Sequence, residues 1–205
     1  MPSEPLRKRT CAFIDGQNLY FAAKDAFGYK RANDRFPDLA RAVCERKGWQ
    51  LDQTRFYTGM PSQAHDPGLY TFWSAKLRAM SQRGVEVRTR PRRYRRQPVT
   101  TPDGHVVDVL SRDEKGIDVR IAVDVIRLAL QRQYDVALIF SQDQDLSELC
   151  TDIREIAREQ ERWIKIASAF PFSDAVPRAR FFVQERLDQG GIDRKAGLLS
   201  DVQGQ

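Results

Sequence analysis

The sequence predicts an α/β fold in which a mainly parallel sheet is covered by helices on both faces, with a basic β-hairpin inserted between two elements. Three observations lead to this prediction. Short apolar runs alternate with longer amphipathic segments, which is the order expected for a parallel sheet. The length of 205 residues, 41% of them hydrophobic, suits one domain. An arginine-rich stretch precedes the turn sequence Pro102-Asp103-Gly104, which is typical of a hairpin.

The predicted elements follow one another in a regular order. The first half of the chain predicts a strand at 10–15, helices at 16–28 and 37–48, a strand at 54–59 and a helix at 66–84. The second half predicts a strand at 85–91, the hairpin, a helix at 114–133, a strand at 135–140, a helix at 145–160, a strand at 163–170 and a last helix at 174–189. We therefore expect a tail at 1–9, one domain at 10–188 with its basic insertion at about 85–110, and a flexible C-terminal tail at 189–205.

The positive charge of the chain is concentrated in one segment. The net charge is +6, and the stretch RGVEVRTRPRRYRR at 83–96 contains seven arginines and one glutamate, so the rest of the chain is neutral. Such a segment is either a charged edge that prevents strand pairing or an arm that binds phosphates. The exclusive use of arginine, with a tyrosine among them, favours the arm. The predicted nucleic-acid-binding residues are Arg88, Arg90, Arg92, Arg93, Arg95, Arg96, Tyr94 and Lys115.

Composition argues against several classes of protein. No apolar run approaches the roughly 18 residues of a membrane span, and the first residues lack the apolar stretch of a secretory signal, so we expect no membrane partner. The three cysteines have no close pairing, which suits a reducing cytoplasm and argues against disulfides. With only two histidines, both in loop-like segments, a histidine-built metal site is improbable.

Acidic residues follow the predicted strands. Asp15 ends the first strand, and Asp143 and Asp145 come just after the strand at 135–140. Asp118 lies in the first turn of the long helix, whereas Asp124 points in a different direction at helical spacing and is the weaker candidate. The carboxyl ends of parallel strands meet at one edge of a sheet, where ligands bind. Taken singly, these aspartates could be turn or cap residues.

Taken together, the carboxylates favour a hard cation. Adjacent carboxylates removed from water are costly unless a positive charge compensates them, and an oxygen-rich cluster selects Mg²⁺ or Mn²⁺. Such an ion commonly binds water and phosphate oxygens, and it can stabilise an in-line attack on a phosphodiester. An arginine arm fits a nucleic-acid substrate. The sequence therefore predicts phosphodiester cleavage.

Three stretches carry a family resemblance. FIDGQNLY at 13–20, KGIDVRIAVDVI at 115–126 and YDVALIFSQDQDLSEL at 134–149 resemble the signatures of the NYN domain, with most similarity to its bacterial LabA-like branch among the PIN-like ribonucleases. The resemblance implies a three-layer α/β/α sandwich of the PIN-like type and metal-dependent cleavage of RNA by an Mg or Mn site. It implies metal-binding, catalytic roles for Asp15, Asp118, Asp143 and Asp145, and catalytic-site roles for Asn18 and Ser141 as polar residues.

The chain departs from this pattern at two places and leaves alternatives open. Gln142 and Gln144 stand where relatives have small residues, and Arg180 stands where an acidic residue is common. One alternative is a non-catalytic RNA-binding or regulatory module on the same fold. Another is a phosphatase of the haloacid dehalogenase type, although its DxD motif normally opens the domain. We expect RNA as the partner and the cytoplasm as the location, and a homodimer is a possible assembly.

Overall fold

The computed structural model describes residues 2–27, 36–141, 146, 148–172, 180–186 and 198–199. Its strands are β1 (Arg9–Asp15), β2 (Gln50–Met60), β3 (Val85–Pro91), β4 (Arg93–Thr100), β5 (Val106–Asp113), β6 (Val136–Phe140), β7 (Lys165–Phe172), β8 (Arg180–Arg186) and β9 (Leu198–Leu199). Its helices are α1 (Gly16–Phe27), α2 (Phe36–Lys47), α3 (Pro67–Gln82), α4 (Ile117–Leu130) and α5 (Leu149–Glu159).

The central sheet is mainly parallel, as predicted. Within the described residues it has seven strands in the order β3-β2-β1-β6-β7-β8-β9. The first five of these are parallel to one another, β8 is antiparallel to β7, and β9 is antiparallel to β8. β1 lies between β2 and β6, with Asp15 opposite Tyr57 and Ile14 opposite Phe140. The carboxyl ends of the three central strands therefore meet at one edge.

Helices cover both faces of this sheet because the strands alternate apolar side chains to either side. Ala12 and Ile14 of β1 belong to the core formed with α1, α2 and α3. Cys11 and Phe13, the residues between them, belong to the core formed with α4 and α5. The result is the three-layer α/β/α arrangement that the sequence predicts.

The last helix, predicted at 174–189, is wrong for residues 180–186, and the rest of that range lies outside the described residues. Residues Arg180–Arg186 form β8, which pairs antiparallel with β7. The segment Phe181-Phe182-Val183 has strong strand propensity, and pairing with the open edge of β7 decides its structure. Most other described elements agree with the sequence within three residues at their ends, but β2 begins at Gln50 rather than 54 and α5 at Leu149 rather than 145. The short strand β9 lies in the segment predicted as a tail.

The basic insertion is partly in the main sheet. β3, its first strand, pairs parallel with β2, and β4 and β5 form a separate two-stranded antiparallel sheet. The turn between them is the one predicted: the amide of Thr101 donates to the carbonyl of His105 at 2.8 Å, and Gly104 has a φ of 85°. The free-standing hairpin therefore spans Arg93–Asp113, and the arginine segment runs from the main sheet into it.

No helix in the described part of the chain is both long enough and apolar enough to cross a bilayer.

Candidate metal and nucleic-acid site

Asp15 is fixed at the carboxyl end of β1. It is 8% exposed, and its Oδ1 accepts hydrogen bonds from the amides of Gln17 at 3.1 Å and Asn18 at 2.9 Å. These bonds cap α1, which begins directly after the strand. The helix can begin there because Gly16 packs against β2, where an added Cβ would lie 2.4 Å from Cζ of Phe56. Asp15 is therefore a helix cap, where the sequence alone suggested a turn aspartate, and the cap holds its carboxylate at the edge of the sheet.

Ser141 ends the neighbouring strand at the same edge. It follows Phe140, the residue of β6 that pairs with Ile14, so it lies next to the level of Asp15. Ser141 is 3% exposed, and its carbonyl accepts a hydrogen bond from Oγ of Ser168 in β7 at 2.7 Å. Asn18 lies in the first turn of α1, three residues after Asp15, and is partly exposed. The predicted ligands Asp143 and Asp145, and the glutamines Gln142 and Gln144, lie outside the described residues.

The first turn of α4 brings Asp118 to this edge. Gly116, just before the helix, has a left-handed φ of 76°, and an added Cβ there would lie 3.1 Å from Nη1 of Arg90. Arg90 pairs with Gly59 near the carboxyl end of β2. The start of α4 therefore lies over the carboxyl ends of β2 and β3. Asp118 is partly exposed in that first turn.

A carboxylate that the sequence analysis missed lies in the same region. Glu114, between the hairpin and α4, has a side chain only 7% exposed. It packs on Gly59, where an added Cβ would lie 2.5 Å from its Oε2. Burial raises the pKa of Glu114 and the charge of Asp15 raises it further, while the Gly59 amide and Arg92 act in the opposite direction. The only sequence signals were its position just before the KGID motif and a glycine near a strand end.

The predicted nucleic-acid residues fall into separate groups. Arg88 pairs with Glu86 in its own strand, and its Nε lies 4.0 Å from Oδ2 of Asp124. Arg90 contacts Gly116, and Nε of Arg92 lies 3.8 Å from Oε2 of Glu114. Exposed side chains on the hairpin and before α4 are those of Arg93, Arg95, Arg96 and Lys115. Arg92 therefore approaches Glu114, Arg90 lies beside the turn before α4, and the β4 arginines are exposed.

Tyr94 anchors the base of the hairpin. Its hydroxyl accepts a hydrogen bond from the amide of Ser62 at 2.9 Å. Its ring stacks on His65, with the ring centroids 4.4 Å apart and the planes at 11°. One face of the ring is therefore covered by the loop before α3, and Tyr94 fixes where the hairpin leaves the domain.

Asp124, the weaker metal-ligand candidate from the sequence, is instead a buried carboxylate held by a tyrosine and arginines. It is fully buried, and its Oδ2 accepts a hydrogen bond from the Tyr57 hydroxyl at 3.0 Å. Its Oδ1 lies 3.1 Å from Nη2 of both Arg120 and Arg127. Burial raises the pKa of Tyr57, and the charge of Asp124 raises it further. This buried charge is compensated by arginines and joins α4 to the sheet.

The described carboxylates supply oxygen donors only, which suits a hard divalent cation. Three of them lie toward one edge: Asp15 at the end of β1, Asp118 in the first turn of α4 and Glu114 in the connection before α4. Within residues 2–27, 36–141 and 148–172, however, no group of three or more acidic, histidine or cysteine side chains is close enough to hold a metal. A complete ligand set would require residues beyond those ranges, and the sequence places two aspartates there.

Comparison with known proteins identifies a family. The model of the NYN domain matches residues 9–171. No curated protein matches the chain. The chain is similar, at 21% identity and a TM-score of 0.46, to a protein of unknown function, VPA0982, from Vibrio parahaemolyticus; the match covers 80% of this chain and 83% of that one. It is also similar to T5 5'-exonuclease with bound divalent metal ions (zinc), at 14% identity and a TM-score of 0.41, covering 83% of this chain and 57% of that one.

Proposed function

The chain belongs to the NYN domain family, and from that premise we propose that it is a metal-dependent ribonuclease of the LabA-like branch that acts in the cytoplasm. Asp15 is the residue on which this function depends most. Its carboxylate is buried and held by two backbone amides at the carboxyl end of a central parallel strand. Ligands of open parallel sheets bind at that edge. The three free cysteines are consistent with a reducing compartment.

Aspartates would hold the divalent cation. They are Asp15 and Asp118 at the described edge, with Asp143 and Asp145 after β6. An Mg²⁺ or Mn²⁺ ion supplies positive charge to the scissile phosphodiester and makes a water molecule more acidic. Asp15 contributes a preformed position, because its contacts with α1 fix its Oδ1 before any ion arrives. Asn18, in the first turn of α1, and Ser141, just after β6, would contribute polar groups.

Arginines near the carboxylates would bind the RNA backbone. Arg90 lies against the turn before Asp118, and Arg92 lies beside Glu114. Both come from the segment that leads into the hairpin, where Arg93, Arg95 and Arg96 are exposed. A phosphate chain could therefore be held from the edge of the sheet outward along β4. Arginine suits this role because its planar group binds phosphate oxygens in pairs.

A nuclease assay with matched variants tests the proposal. Labelled single-stranded RNA and DNA are incubated with the protein and Mg²⁺, Mn²⁺ or EDTA. We expect RNA cleavage that EDTA abolishes and that Asp15→Asn, Asp118→Asn or Asp143→Asn lowers by at least about tenfold. Asp52→Asn is the control, because Asp52 lies near the start of β2, toward the other end of the sheet. Cleavage that persists in EDTA, or that all four variants retain, would refute the metal site.

One observation favours a non-catalytic RNA-binding module instead. Gln142 and Gln144 stand beside Asp143 and Asp145, where relatives have small residues. Such a module would bind the RNA with the same arginines but leave it intact in every metal. RNA binding without cleavage, at a protein concentration that saturates the RNA, would decide for this second function.

A further inference from the structure

Glu114, between the hairpin and α4, is a buried carboxylate with one oxygen that lacks a hydrogen-bond partner in the described part of the chain. Its side chain is 7% exposed, and although the Gly59 amide lies near the carboxyl group, Oε2 has no partner with hydrogen-bond geometry among the described residues. Buried carboxylate oxygens are nearly always paired, because an unpaired one has lost its hydration without a hydrogen bond to replace it. An unpaired oxygen at this depth therefore calls for an explanation.

The nearby arginine does not supply that partner. Nε of Arg92 is 3.8 Å from Oε2, which is beyond hydrogen-bond length, and Nε itself has no hydrogen-bond partner in the described part of the chain. The two charges attract each other, but no hydrogen bond joins Nε and Oε2.

The position of Glu114 points to the same edge as Asp15. Its carboxyl group packs on Gly59, two residues beyond Tyr57, which pairs with Asp15. The absence of a side chain at residue 59 is what makes room for it, since a Cβ there would be 2.5 Å from Oε2. The two carboxylates are close enough for the charge of Asp15 to act on Glu114. Two carboxylates at a partly buried edge repel each other, and a cation bound between them would remove that repulsion.

We propose that Glu114 is a further ligand of the divalent cation, supplying Oε2 from the side of β2 while Asp15 binds from β1. This inference rests on the proposed function, because that function supplies the cation. Unlike the aspartates that the sequence predicted, Glu114 lies in the segment between the hairpin and α4. The hairpin base and the cation site would then share one short connection, Glu114-Lys115-Gly116.

Direct titration with Mn²⁺, followed by the electron paramagnetic resonance signal of the free ion, tests this without RNA. We expect Glu114→Gln to weaken Mn²⁺ binding by at least about tenfold, the lower range for residues that support metal ligands. Glu114→Asp keeps the charge but shortens the side chain, and should weaken binding as well. Circular dichroism and the melting temperature without metal establish that each variant is folded.

Two control variants separate a ligand from a structural ion pair. Arg92→Ala removes the neighbouring cation and should leave Mn²⁺ affinity unchanged or higher. Glu86→Gln removes another carboxylate that pairs with arginines, four residues before Arg90 in β3 and about 13 Å back along the strand. It should not change Mn²⁺ affinity.

The outcomes distinguish this inference from the proposed function. Unchanged Mn²⁺ affinity in Glu114→Gln, an equal loss in Arg92→Ala, or no Mn²⁺ binding by the wild type would each overturn the ligand role. If Glu114→Gln lost Mn²⁺ but the wild type left RNA intact, the ligand role would stand and the ribonuclease would not. If the glutamine variant did not fold, the result with Glu114→Asp would decide in the same way.

Discussion

Gly16 shows how one residue can set the geometry of the candidate site. An added Cβ would lie 2.4 Å from Cζ of Phe56 and 3.0 Å from the carbonyl oxygen of Tyr57. We expect Gly16→Ala to lower the free energy of unfolding by about 1–3 kcal/mol, the usual cost of overpacking a core. It should also displace the start of α1 and so disturb the amides that bind Asp15.

Urea unfolding measures the effect of Gly16→Ala, and Gly68→Ala is its control. Gly68 also lies in the first turn of a helix, α3, but an added Cβ would meet nothing within 4 Å. There, alanine should leave stability unchanged or raise it by about 0.5–1 kcal/mol. If both variants had the same stability, the close approach to Phe56 would not constrain the helix start.

Residue-scale prediction from the sequence succeeds where a local rule applies. Asp15 follows an apolar run and precedes Gly16, so strand-end reasoning selects it, and the structure places it at the carboxyl edge. Glu114 follows no such rule. Its burial depends on Gly59, a glycine from a distant strand, and only the folded chain brings the two together. The roles of Asp143 and Asp145 stay predictions.

At the scale of elements, the hairpin makes a testable claim about binding. Arg93, Arg95 and Arg96 are exposed on β4, and pairing places the first two on one face and the third on the other. We expect their triple replacement by alanine to weaken RNA binding and to lower its salt slope by about 0.7 for each phosphate that is no longer neutralised. The melting temperature should barely change, because exposed charges contribute little to stability. Fluorescence anisotropy at several salt concentrations measures the affinity and the slope.

A second triple variant controls for net charge. Arg41, Arg78 and Arg83 are exposed on or just after α2 and α3, and replacing them removes the same three charges from a net of +6. If binding depended only on total charge, both triple variants would show the same decrease in affinity and salt slope. We expect the decrease to be confined to the β4 variant.

Helices and strands were predictable from the sequence where the apolar pattern fits only one type of element. They were not predictable where pairing with the edge of the sheet determines the type of element. The apolar stripe and stop glycine of α3 identify it within two residues at each end. The stretch 174–189 has apolar residues at helical spacing, but the aromatic and β-branched residues at 181–183 equally suit a strand. An available edge on β7 selects the strand, and no local signal reports that edge.

At the scale of the whole molecule, an ion cluster joins the start of β1 to the rest of the fold. Asp135, just before β6, accepts hydrogen bonds from Nε and Nη2 of Arg9 at 3.0 and 2.9 Å, and Arg162 lies 3.4 Å away. Burial alone would raise the pKa of Asp135, but the Arg9 hydrogen bonds and the charges of Arg9 and Arg162 hold it below its ordinary value. This cluster lies at the amino ends of the strands, away from the candidate site.

The depressed pKa gives the cluster a definite pH dependence. The stabilisation is fully present above the ordinary aspartate value of 3.8 and is lost as the pH falls through the lower value of the folded state. We expect Asp135→Asn to lower the free energy of unfolding by about 2 kcal/mol near neutrality. Urea unfolding at a series of pH values should show this difference shrinking only below about pH 4. A difference that stayed constant into acid would show that the carboxylate charge is not responsible.

The cation itself should stabilise the fold, because a ligand that binds only the folded state adds free energy by mass action. At 100 times its dissociation constant, Mn²⁺ contributes about 2.7 kcal/mol, which for a chain of this size raises the melting temperature by roughly 5–10 °C. The double variant Asp15→Asn with Asp118→Asn should lose the rise, while asparagine at residue 15 can still cap α1. Asp135→Asn is the control: it should melt at a lower temperature than the wild type and yet keep the full rise with Mn²⁺. A thermal shift of equal size in the wild type and the double variant would place the ion elsewhere on the molecule.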